Sequence, residues 1–366
     1  METYPISSID IEQAKHLQFR LVDIIHRNFQ GDEFLQAGDY GVVPGAGKPR
    51  YTAKVETVLA QFFDAEAAIL VRGAGSGAIR NVFNAVVRAN DKILVHAAPI
   101  YPSTKVTIES MGLQPVICDF NQPKLDRDVV GAAKFALVQY SRQQMKDSYD
   151  IGTVIAQLRE MNDDITILTD DNYAVMKTTK IGVQLGADAS AFSLFKLLGP
   201  EGIGCVVGSQ VIIDKIKENN YSGGGQVQGF EAMEALRGLV YAPVALAIQA
   251  DEGNKIVESL QRGTVQGVKS AFIANAQSRV ILVRFEKPIA KQVLKYCNQL
   301  GGAPHPVGAE SKYEVPAMFY RVSGTFLATD PSLADYMIRI NPMRAGAETV
   351  LRILEEGIQL ADKDEE

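Results

Sequence analysis

The 366-residue sequence contains no tryptophan, three cysteines and four histidines, and these low counts exclude several kinds of protein. Cys118, Cys205 and Cys297 are far apart and odd in number, which fits neither a disulfide framework nor a zinc cluster. Free cysteines are usual in a reducing compartment, so the sequence predicts a cytoplasmic protein. The histidines are scattered along the chain, and we therefore predict no metal site.

Long apolar segments and a strong charge of one sign are also missing. No apolar run approaches the roughly 18 residues that a membrane-spanning helix needs, and the first residues lack the basic and apolar regions of a secretion signal. A net charge of -6 argues against nucleic acid as a partner. With 46% hydrophobic and 22% charged residues, the chain can bury one large core and a smaller one.

Short apolar segments alternate with helical segments over much of the chain, which predicts an α/β fold with a largely parallel, doubly wound sheet. We expect seven strands, at residues 67–71, 92–96, 114–118, 135–139, 165–169, 189–193 and 204–208. We divide the chain into an N-terminal arm (residues 1–50), a large domain (51–240) and a smaller α+β C-terminal domain (241–366). We expect a helix at about residues 11–29, a long helical stretch from about residue 241 and a closing helix at 346–361.

Lys196 lies just beyond the strand expected at 189–193, in the segment Ser193-Leu194-Phe195-Lys196-Leu197-Leu198-Gly199-Pro200-Glu201-Gly202. Enzymes use a lysine in such a position when its neutral amine must attack a carbonyl and form a Schiff base. The hydroxyl of Ser193 and the glycines after the lysine suit a phosphate group beside that bond. Because Ser-x-x-Lys is also common at ordinary surfaces, the interpretation depends on partners elsewhere in the chain.

The first partner is a carboxylate at the end of the apolar strand 165–169. Asp170 stands at the carboxyl end of that strand, where open α/β sheets bind their ligands. A carboxylate there can keep a pyridine nitrogen protonated, which makes pyridoxal 5'-phosphate (PLP) an electron sink. Asp171 is a rival for this role, although Asp170 lies closer to the strand. Both residues could instead form an acidic turn that caps the strand.

The second partner is the glycine-rich turn Gly73-Ala74-Gly75-Ser76-Gly77, which follows the strand 67–71 and opens a helix. Such a turn presents free N–H groups and the positive end of a helix dipole to a phosphate. Its glycine spacing differs from the dinucleotide fingerprint, and it lacks the Gly-Lys-Ser/Thr ending of a nucleoside-triphosphate loop. Gly75, Ser76 and Gly77 are therefore the candidate phosphate-binding residues, unless the segment is a plain strand–helix turn.

In this order, the glycine-rich turn, Asp170 and the Ser-x-x-Lys segment resemble the fold-type-I PLP-dependent enzymes, the aspartate aminotransferase superfamily. Gln139-Tyr140-Ser141-Arg142, Asp170-Asp171-Asn172-Tyr173 and Ser-Leu-x-Lys are similar to the methionine γ-lyase group, in particular its aluminium-resistance branch. Lys196–Gly202 instead resembles the class-V aminotransferases. The resemblance covers roughly residues 40–350 and implies the PLP-dependent transferase fold, with a mostly parallel seven-stranded sheet in the large domain.

The resemblance assigns further residues to the site. Tyr101, in Ile100-Tyr101-Pro102-Ser103-Thr104, corresponds to the tyrosine whose ring stacks on PLP, and Gln139 is expected in the cofactor site. Arg339, in Arg339-Ile340-Asn341-Pro342, is similar to the arginine that holds the α-carboxylate of the substrate with a bidentate fork. Arg344 and Arg321 are alternatives for that role.

The resemblance also implies an oligomer. Arg50-Tyr51-Thr52 loosely matches the tyrosine–arginine pair that, in the lyases, reaches the phosphate of a neighbouring subunit. We therefore expect a homodimer, or a dimer of dimers, with the active site at the subunit boundary. Closed two-fold dimers are also the commonest assemblies.

These parts predict an enzyme that acts on an amino acid through an external aldimine. Asp170 would keep the ring nitrogen protonated, and the freed Lys196 would be the base for the Cα proton. Loss of a β or γ substituent would make the protein a lyase, which Tyr101 and the Ser-Leu-x-Lys context favour slightly. Reprotonation at the cofactor carbon would make it an aminotransferase. A PLP-binding protein without catalysis is a remote third alternative.

Overall fold

The structure, a computed structural model, describes residues 3–142, 144–274 and 279–365. The chain forms two compact units. The large unit contains Glu12–Ser141 and Tyr149–Pro243. The C-terminal unit contains the described residues of Met1–Ile11, Arg142–Ser148 and Val244–Glu366.

The helices and strands of the described residues are numbered in chain order. The α-helices are α1 (Ile11–Asn28), α2 (Arg50–Phe62), α3 (Ala74–Val86), α4 (Pro102–Ser110), α5 (Arg127–Gly131), α6 (Ile151–Met161), α7 (Gln210–Asn219), α8 (Gly229–Gln261), α9 (Ala290–Gln299), α10 (Gly324–Thr329), α11 (Leu333–Tyr336) and α12 (Ala347–Glu365). Short 3₁₀ helices lie at Glu33–Leu35, Gly182–Leu185 and Phe195–Leu197. The strands are β1 (Ala67–Arg72), β2 (Lys92–His96), β3 (Gln114–Cys118), β4 (Phe135–Gln139), β5 (Thr166–Asp170), β6 (Ala189–Ser193), β7 (Ile203–Gly208), β8 (Val268–Ile273), β9 (Ile281–Phe285), β10 (Met318–Arg321) and β11 (Met337–Asn341). None of the helices described here is both long and apolar enough to cross a membrane.

The predicted seven-stranded sheet forms in the large unit, in the order β1-β7-β6-β5-β4-β2-β3. Strand β7 runs antiparallel to both of its neighbours, whereas the pairs β2–β3, β2–β4, β4–β5 and β5–β6 are parallel. The predicted α/β fold with a mostly parallel sheet is thus confirmed. The carboxyl ends of β2, β4, β5 and β6 lie along one edge of the sheet, which is where such folds bind their ligands.

Both faces of this sheet are buried at its central strands. Phe135 and Leu137 of β4 belong to a core shared with α3 and α7, whereas Ala136 and Val138 belong to a second core shared with α5 and α6. Successive side chains of a strand point to opposite faces, so a strand covered on both faces needs apolar residues throughout. This is why the strands appear in the sequence as continuous apolar runs and why polar residues gather at the strand ends.

The C-terminal unit contains the antiparallel sheet β10-β11-β9-β8. Its core includes Val293 of α9 and Val350, Leu354 and Ile358 of α12. The last three residues recur at helical spacing, which places them on one face of α12 against the core. The predicted α+β character of this region is confirmed, and the closing helix extends a few residues beyond the expected end.

Helix α8 differs from the expectation, because it begins at Gly229 and the sequence predicted helix only from about residue 241. Pro243 lies inside this helix. Proline usually marks a helix boundary because it lacks an N–H donor, but here the helix continues past it. The division of the chain at residues 50 and 240 stays a prediction.

Candidate active site

The glycine-rich turn after β1 makes close backbone contacts. Gly73 has a φ of 93°, in the left-handed region that favours glycine, and precedes the first turn of α3. A Cβ atom at Gly77 would lie 2.0 Å from the carbonyl oxygen of Arg72, so no other residue type fits there without a backbone shift. The N–H groups of Gly73 and Ala74 both donate to the carbonyl oxygen of Gly202 and fasten the turn to the loop before β7.

The start of α3 leaves two donors available. Among the described residues, none accepts a hydrogen bond from the backbone N–H of Gly75 or Ser76. The Ser76 and Ser103 hydroxyls lie 2.6 Å apart, which joins this turn to the beginning of α4. Free N–H groups at the positive end of a 13-residue helix suit an anion such as a phosphate.

Asp170 ends β5 directly beside Gln139, which ends β4 in the same register. The Asp170 Oδ1 atom accepts hydrogen bonds from the side chain of Asn172 at 2.7 Å and from its backbone N–H at 3.2 Å. Burial raises the pKa of Asp170, and the Asn172 bonds, the positive charge of Lys196 and the Gln139 side chain each oppose that rise. Asp170, Gln139 and Lys196 therefore interact at one edge of the sheet.

Lys196 lies in the 3₁₀ turn Phe195–Leu197 that follows β6. Its Nζ atom donates to the hydroxyl of Tyr173 at 2.7 Å and lies 4.0 Å from the centroid of the same ring. Tyr101, at the start of α4, is 43% exposed. The pKa of Tyr101 is raised by partial burial and by Tyr173 and Asp170, whereas Lys196 lowers it. The structure thus brings Tyr101, Asp170, Tyr173 and Lys196 together.

Asn172 and Tyr173 are site residues to which the sequence argument assigned no role. Both belong to the quoted segment Asp170-Asp171-Asn172-Tyr173, so the segment itself was the available signal. Asn172 Oδ1 accepts from the backbone N–H of Ser193, the last residue of β6, at 3.0 Å. Asn172 therefore joins the ends of β5 and β6, which hold Asp170 and Ser193.

Asp171 points away from this cluster. It is fully buried, and its Oδ2 atom accepts from the Thr169 hydroxyl and from the Gly182 backbone N–H, both at 3.0 Å. Burial raises the pKa of Asp171 to about 6, and hydrogen bonds from Ser190, Gly182 and Thr169 limit the rise. Its contacts lie within the protein core, whereas Asp170 interacts with Lys196.

The arginines predicted to bind the substrate carboxylate belong to the C-terminal unit. Arg339 Nε donates to the carbonyl oxygen of Arg321 at 2.7 Å, and its guanidinium lies 4.1 Å from the ring centroid of Tyr320. Arg344 donates to the side chain of Gln249 at 3.0 Å, and burial lowers its pKa. Arg321 itself is exposed. The carboxylate role of Arg339 stays a prediction.

Solved structures with low sequence identity share this fold. A candidate cystathionine β-lyase involved in aluminium resistance from Listeria monocytogenes is 16% identical, with a TM-score of 0.71 over 96% of this chain and 95% of that one. The cystathionine γ-lyase CalE6 from Micromonospora echinospora is 14% identical, with a TM-score of 0.74 over 94% and 99% of the two chains. The fold is that of the PLP-dependent fold-type-I enzymes, as the sequence predicted.

A much nearer relative gives the family. The uncharacterized protein YhfS of Escherichia coli strain K12 is 51% identical over 98% of this chain and 99% of its own length. The crystal structure of the pyridoxal-5'-phosphate-dependent protein YhfS from Escherichia coli has a TM-score of 0.96 and covers 98% of this chain and 99% of that one. Residues 254–354 match the model of the YhfS-like C-terminal domain, and residues 147–237 match that of the class-V aminotransferases. The chain belongs to the YhfS family.

The residues at the sheet edge fit PLP on structural grounds. The backbone N–H groups of Gly75 and Ser76, which donate to no acceptor in the described part of the chain, suit its phosphate, and the carboxylate of Asp170 suits its pyridine nitrogen. The amine of Lys196 suits its aldehyde. The predicted cofactor also agrees with the PLP dependence of YhfS.

Proposed function

We propose that the protein is a PLP-dependent enzyme that acts on an amino acid and eliminates a substituent from its β or γ carbon. The observation that carries this proposal is the cluster of one amine and two phenols, in which Lys196 Nζ donates to the Tyr173 hydroxyl at 2.7 Å. Partial burial raises the pKa of Tyr101, the third member of the cluster, and the nearby charge of Lys196 opposes that rise. Elimination needs a base for one proton and an acid for the leaving group. Transamination moves a proton between two carbons, and a single amine can do both transfers.

The chain's own groups would bind and orient the cofactor. The N–H groups of Gly75 and Ser76 and the hydroxyl of Ser193 would hold its phosphate, while Tyr101 would cover one face of its ring. Asp170 would accept the hydrogen bond from the pyridine nitrogen and keep the proton on that atom. When bound, PLP supplies an electron sink for the electron pair left on Cα after a bond to that carbon breaks.

Lys196 and Tyr101 would carry the proton transfers. The Lys196 amine would accept the proton from Cα, and the Tyr173 hydroxyl and ring face would stabilise the resulting ammonium group. The Tyr101 phenol carries its proton near neutral pH, as phenols ordinarily do, and partial burial raises its pKa further. That phenol could then donate its proton to the departing sulfur or oxygen atom of the substrate. Arg339 would hold the α-carboxylate, with Arg344 and Arg321 as alternatives.

Aminotransfer is the second candidate. The class-V aminotransferase match at residues 147–237 includes both Asp170 and Lys196, and it favours this reaction. In that case Lys196 would return the proton to the cofactor carbon, and Tyr101 would be needed for stacking rather than as an acid. A protein that binds PLP without catalysis remains a third, remote candidate.

Incubation of the PLP-loaded protein with a panel of amino acids should distinguish these candidates. Amino acids with a thiol, thioether or oxygen substituent on the β or γ carbon are expected to give a 2-oxo acid and ammonia in equal amounts. Accumulation of pyridoxamine phosphate, discharged by an added 2-oxo acid, would instead identify an aminotransferase. Neither product with any amino acid, despite bound PLP, would contradict both enzymatic proposals.

The variant Tyr101→Phe tests whether Tyr101 is the acid in this reaction. It keeps the aromatic ring and removes the proton donor, so the release of the leaving group should slow by about 100-fold. Exchange of the Cα hydrogen with deuterium from solvent should continue, because it depends on Lys196. Tyr241→Phe, at a tyrosine on α8 that is 66% exposed, is the matched control. Leaving-group release that stays near the wild-type rate in Tyr101→Phe would argue that Tyr101 only stacks on the ring and is not the acid.

We also propose that the protein is a homodimer or a dimer of dimers. Exposed apolar side chains gather around the glycine-rich segment after α1, where Leu35 is 81%, Tyr40 76% and Tyr221 82% exposed. Tyr40 packs on Phe230 of α8 with ring centroids 5.0 Å apart. The segment 221–225 lies beside Val42, since a Cβ at Gly223 would be 3.7 Å from that side chain. Large exposed apolar side chains along one segment are typical of an interface with another chain.

The double variant Leu35→Glu/Tyr40→Glu should therefore weaken self-association. Analytical ultracentrifugation at micromolar concentration is expected to give a dimer or tetramer for the wild type and a smaller species for the variant. Val307→Glu, at an apolar side chain that is 71% exposed in the C-terminal unit, is the matched control. A fully active wild-type monomer at that concentration would rule out the proposed assembly.

A further inference from the structure

We propose that Asn172 is a positioning residue that fixes the carboxylate of Asp170 relative to the phosphate-binding end of the site. The inference rests on the proposed PLP site and assigns to Asn172 a role in holding that site together. It concerns three elements that are distant in the sequence, namely β5, β6 and the first turn of α3.

Both the nitrogen and the oxygen of the Asn172 side-chain amide form hydrogen bonds. The Nδ2 group donates to Asp170 Oδ1 at 2.7 Å, and Oδ1 of the amide accepts from the Ser193 N–H at 3.0 Å. An aspartate in this position would lack the donor and would bring a second negative charge against Asp170. A leucine would have neither donor nor acceptor. The position therefore requires a short side chain that both donates and accepts.

The same amide lies directly against the glycine-rich turn. A Cβ atom at Gly75 would lie 2.1 Å from Asn172 Oδ1, 2.6 Å from Nδ2 and 2.7 Å from Cγ. Those three atoms are the nearest neighbours of that position. Gly75 has no positive φ, so it is the contact with Asn172, and not backbone strain, that requires a glycine there.

One side chain thus sets the distances between Asp170, Ser193 and the N-terminus of α3. These groups would bind opposite ends of a rigid cofactor, and a shift of about 1 Å in such a site is enough to reduce activity strongly. Hydrogen bonds to an ionised carboxylate also favour its charged form. Loss of Asn172 should therefore loosen the phosphate end and weaken the ability of Asp170 to keep the ring nitrogen protonated.

A double-mutant cycle tests the contact with Gly75. We expect Gly75→Ala alone to lower the melting temperature of the cofactor-free protein and to weaken PLP binding at least about tenfold, because the new methyl group meets the amide. In the Asn172→Ala background the same change should have a much smaller effect, because the three clashing atoms are gone. Equal effects of Gly75→Ala in both backgrounds would overturn the proposed contact.

The positioning role needs a measurement that a purely structural role would leave unchanged. In Asn172→Ala and Asn172→Asp, the pH titration of the visible absorption band of bound PLP should shift upward. When the pyridine ring carries less positive charge, it repels the proton on the nitrogen that joins Lys196 to the cofactor less strongly. That nitrogen therefore keeps its proton to higher pH. Asn162→Ala is the matched control, since the Asn162 amide also donates and accepts, to Ala133 O at 3.0 Å and from Asp164 N at 3.2 Å, before β5 begins.

An unshifted titration in both Asn172 variants, together with PLP affinity within twofold of the wild type, would refute the role. Asn172→Asp has nearly the same shape as the wild-type residue, so it serves as the second variant if Asn172→Ala folds poorly. Failure of the proposed function would look different, because the wild-type protein would then bind PLP and release no 2-oxo acid and ammonia from any amino acid, while the titration and the PLP affinities could still be measured. The melting-temperature cycle uses cofactor-free protein and would still decide whether Asn172 and Gly75 are coupled.

Discussion

Replacement of Lys196 by alanine is expected to abolish the covalent attachment of PLP and to lower turnover by at least about 1,000-fold. The Lys196 amine is the group that would bond to the cofactor and then accept the Cα proton, so both roles disappear together. The Tyr173 hydroxyl, 2.7 Å from Nζ, has no comparable basicity and could not replace it. Borohydride reduction followed by peptide mass spectrometry measures the attachment directly.

Lys177 provides a demanding control for this prediction. It is only 8% exposed, and its Nζ atom lies 5.4 Å from the ring centroid of Tyr173, the same ring that Lys196 contacts at 4.0 Å. We expect Lys177→Ala to keep the reducible attachment at Lys196. If borohydride instead fixed the cofactor in Lys196→Ala, and mapping found it on Lys177, the assignment of the reactive lysine would be wrong.

The sequence predicted the large sheet well because most of its strands are buried on both faces. A strand such as β4, with Phe135 and Leu137 in one core and Ala136 and Val138 in the other, must be apolar throughout and is easily found. Helix α8 was harder, because Pro243 in its interior resembles a boundary and the helix continues through it. The start of such a helix depends on packing between elements distant in the sequence.

The candidate site, too, contains features that depend on contacts between residues distant in the sequence. Residue type and strand-end position made Lys196, Asp170 and the glycine-rich turn candidates, because their chemistry is local. The importance of Asn172 depends on Ser193 and Gly75, which are distant in sequence and meet it only in the folded chain. The contact of Tyr173 with Lys196 likewise joins two loops. Pairs of this kind carry no pattern in a single sequence.

The choice between Asp170 and Asp171 leads to the second prediction with a large effect. Asp170→Ala is expected to lower turnover by about 100-fold or more while the protein retains part of its PLP affinity. The phosphate donors and Lys196 would still bind the cofactor, but nothing would keep the pyridine nitrogen protonated. Steady-state kinetics together with titration of PLP into the cofactor-free protein would separate the two effects.

Asp171→Asn is the matched control, because Asp171 is adjacent in the chain and its contacts lie in the core. Its pKa is raised from 3.8 to about 6 by burial, so the folded protein binds this proton more tightly than the unfolded chain does. The contribution of Asp171 to stability therefore falls as the pH rises from about 4 to about 6, and it stays low above that range. Asp171→Asn removes this titration and should flatten the pH dependence of the unfolding free energy in that window.

The two variants are thus expected to act on different properties. Asp170→Ala should change catalysis and the spectrum of bound PLP, whereas Asp171→Asn should change mainly the pH dependence of stability. Near-normal turnover in Asp170→Ala, with a severe loss in a folded Asp171→Asn protein, would reverse the two roles. Asp171 would then have to leave its bonds to Thr169 and Gly182 to reach the cofactor, which would require a rearrangement of the loop after β5.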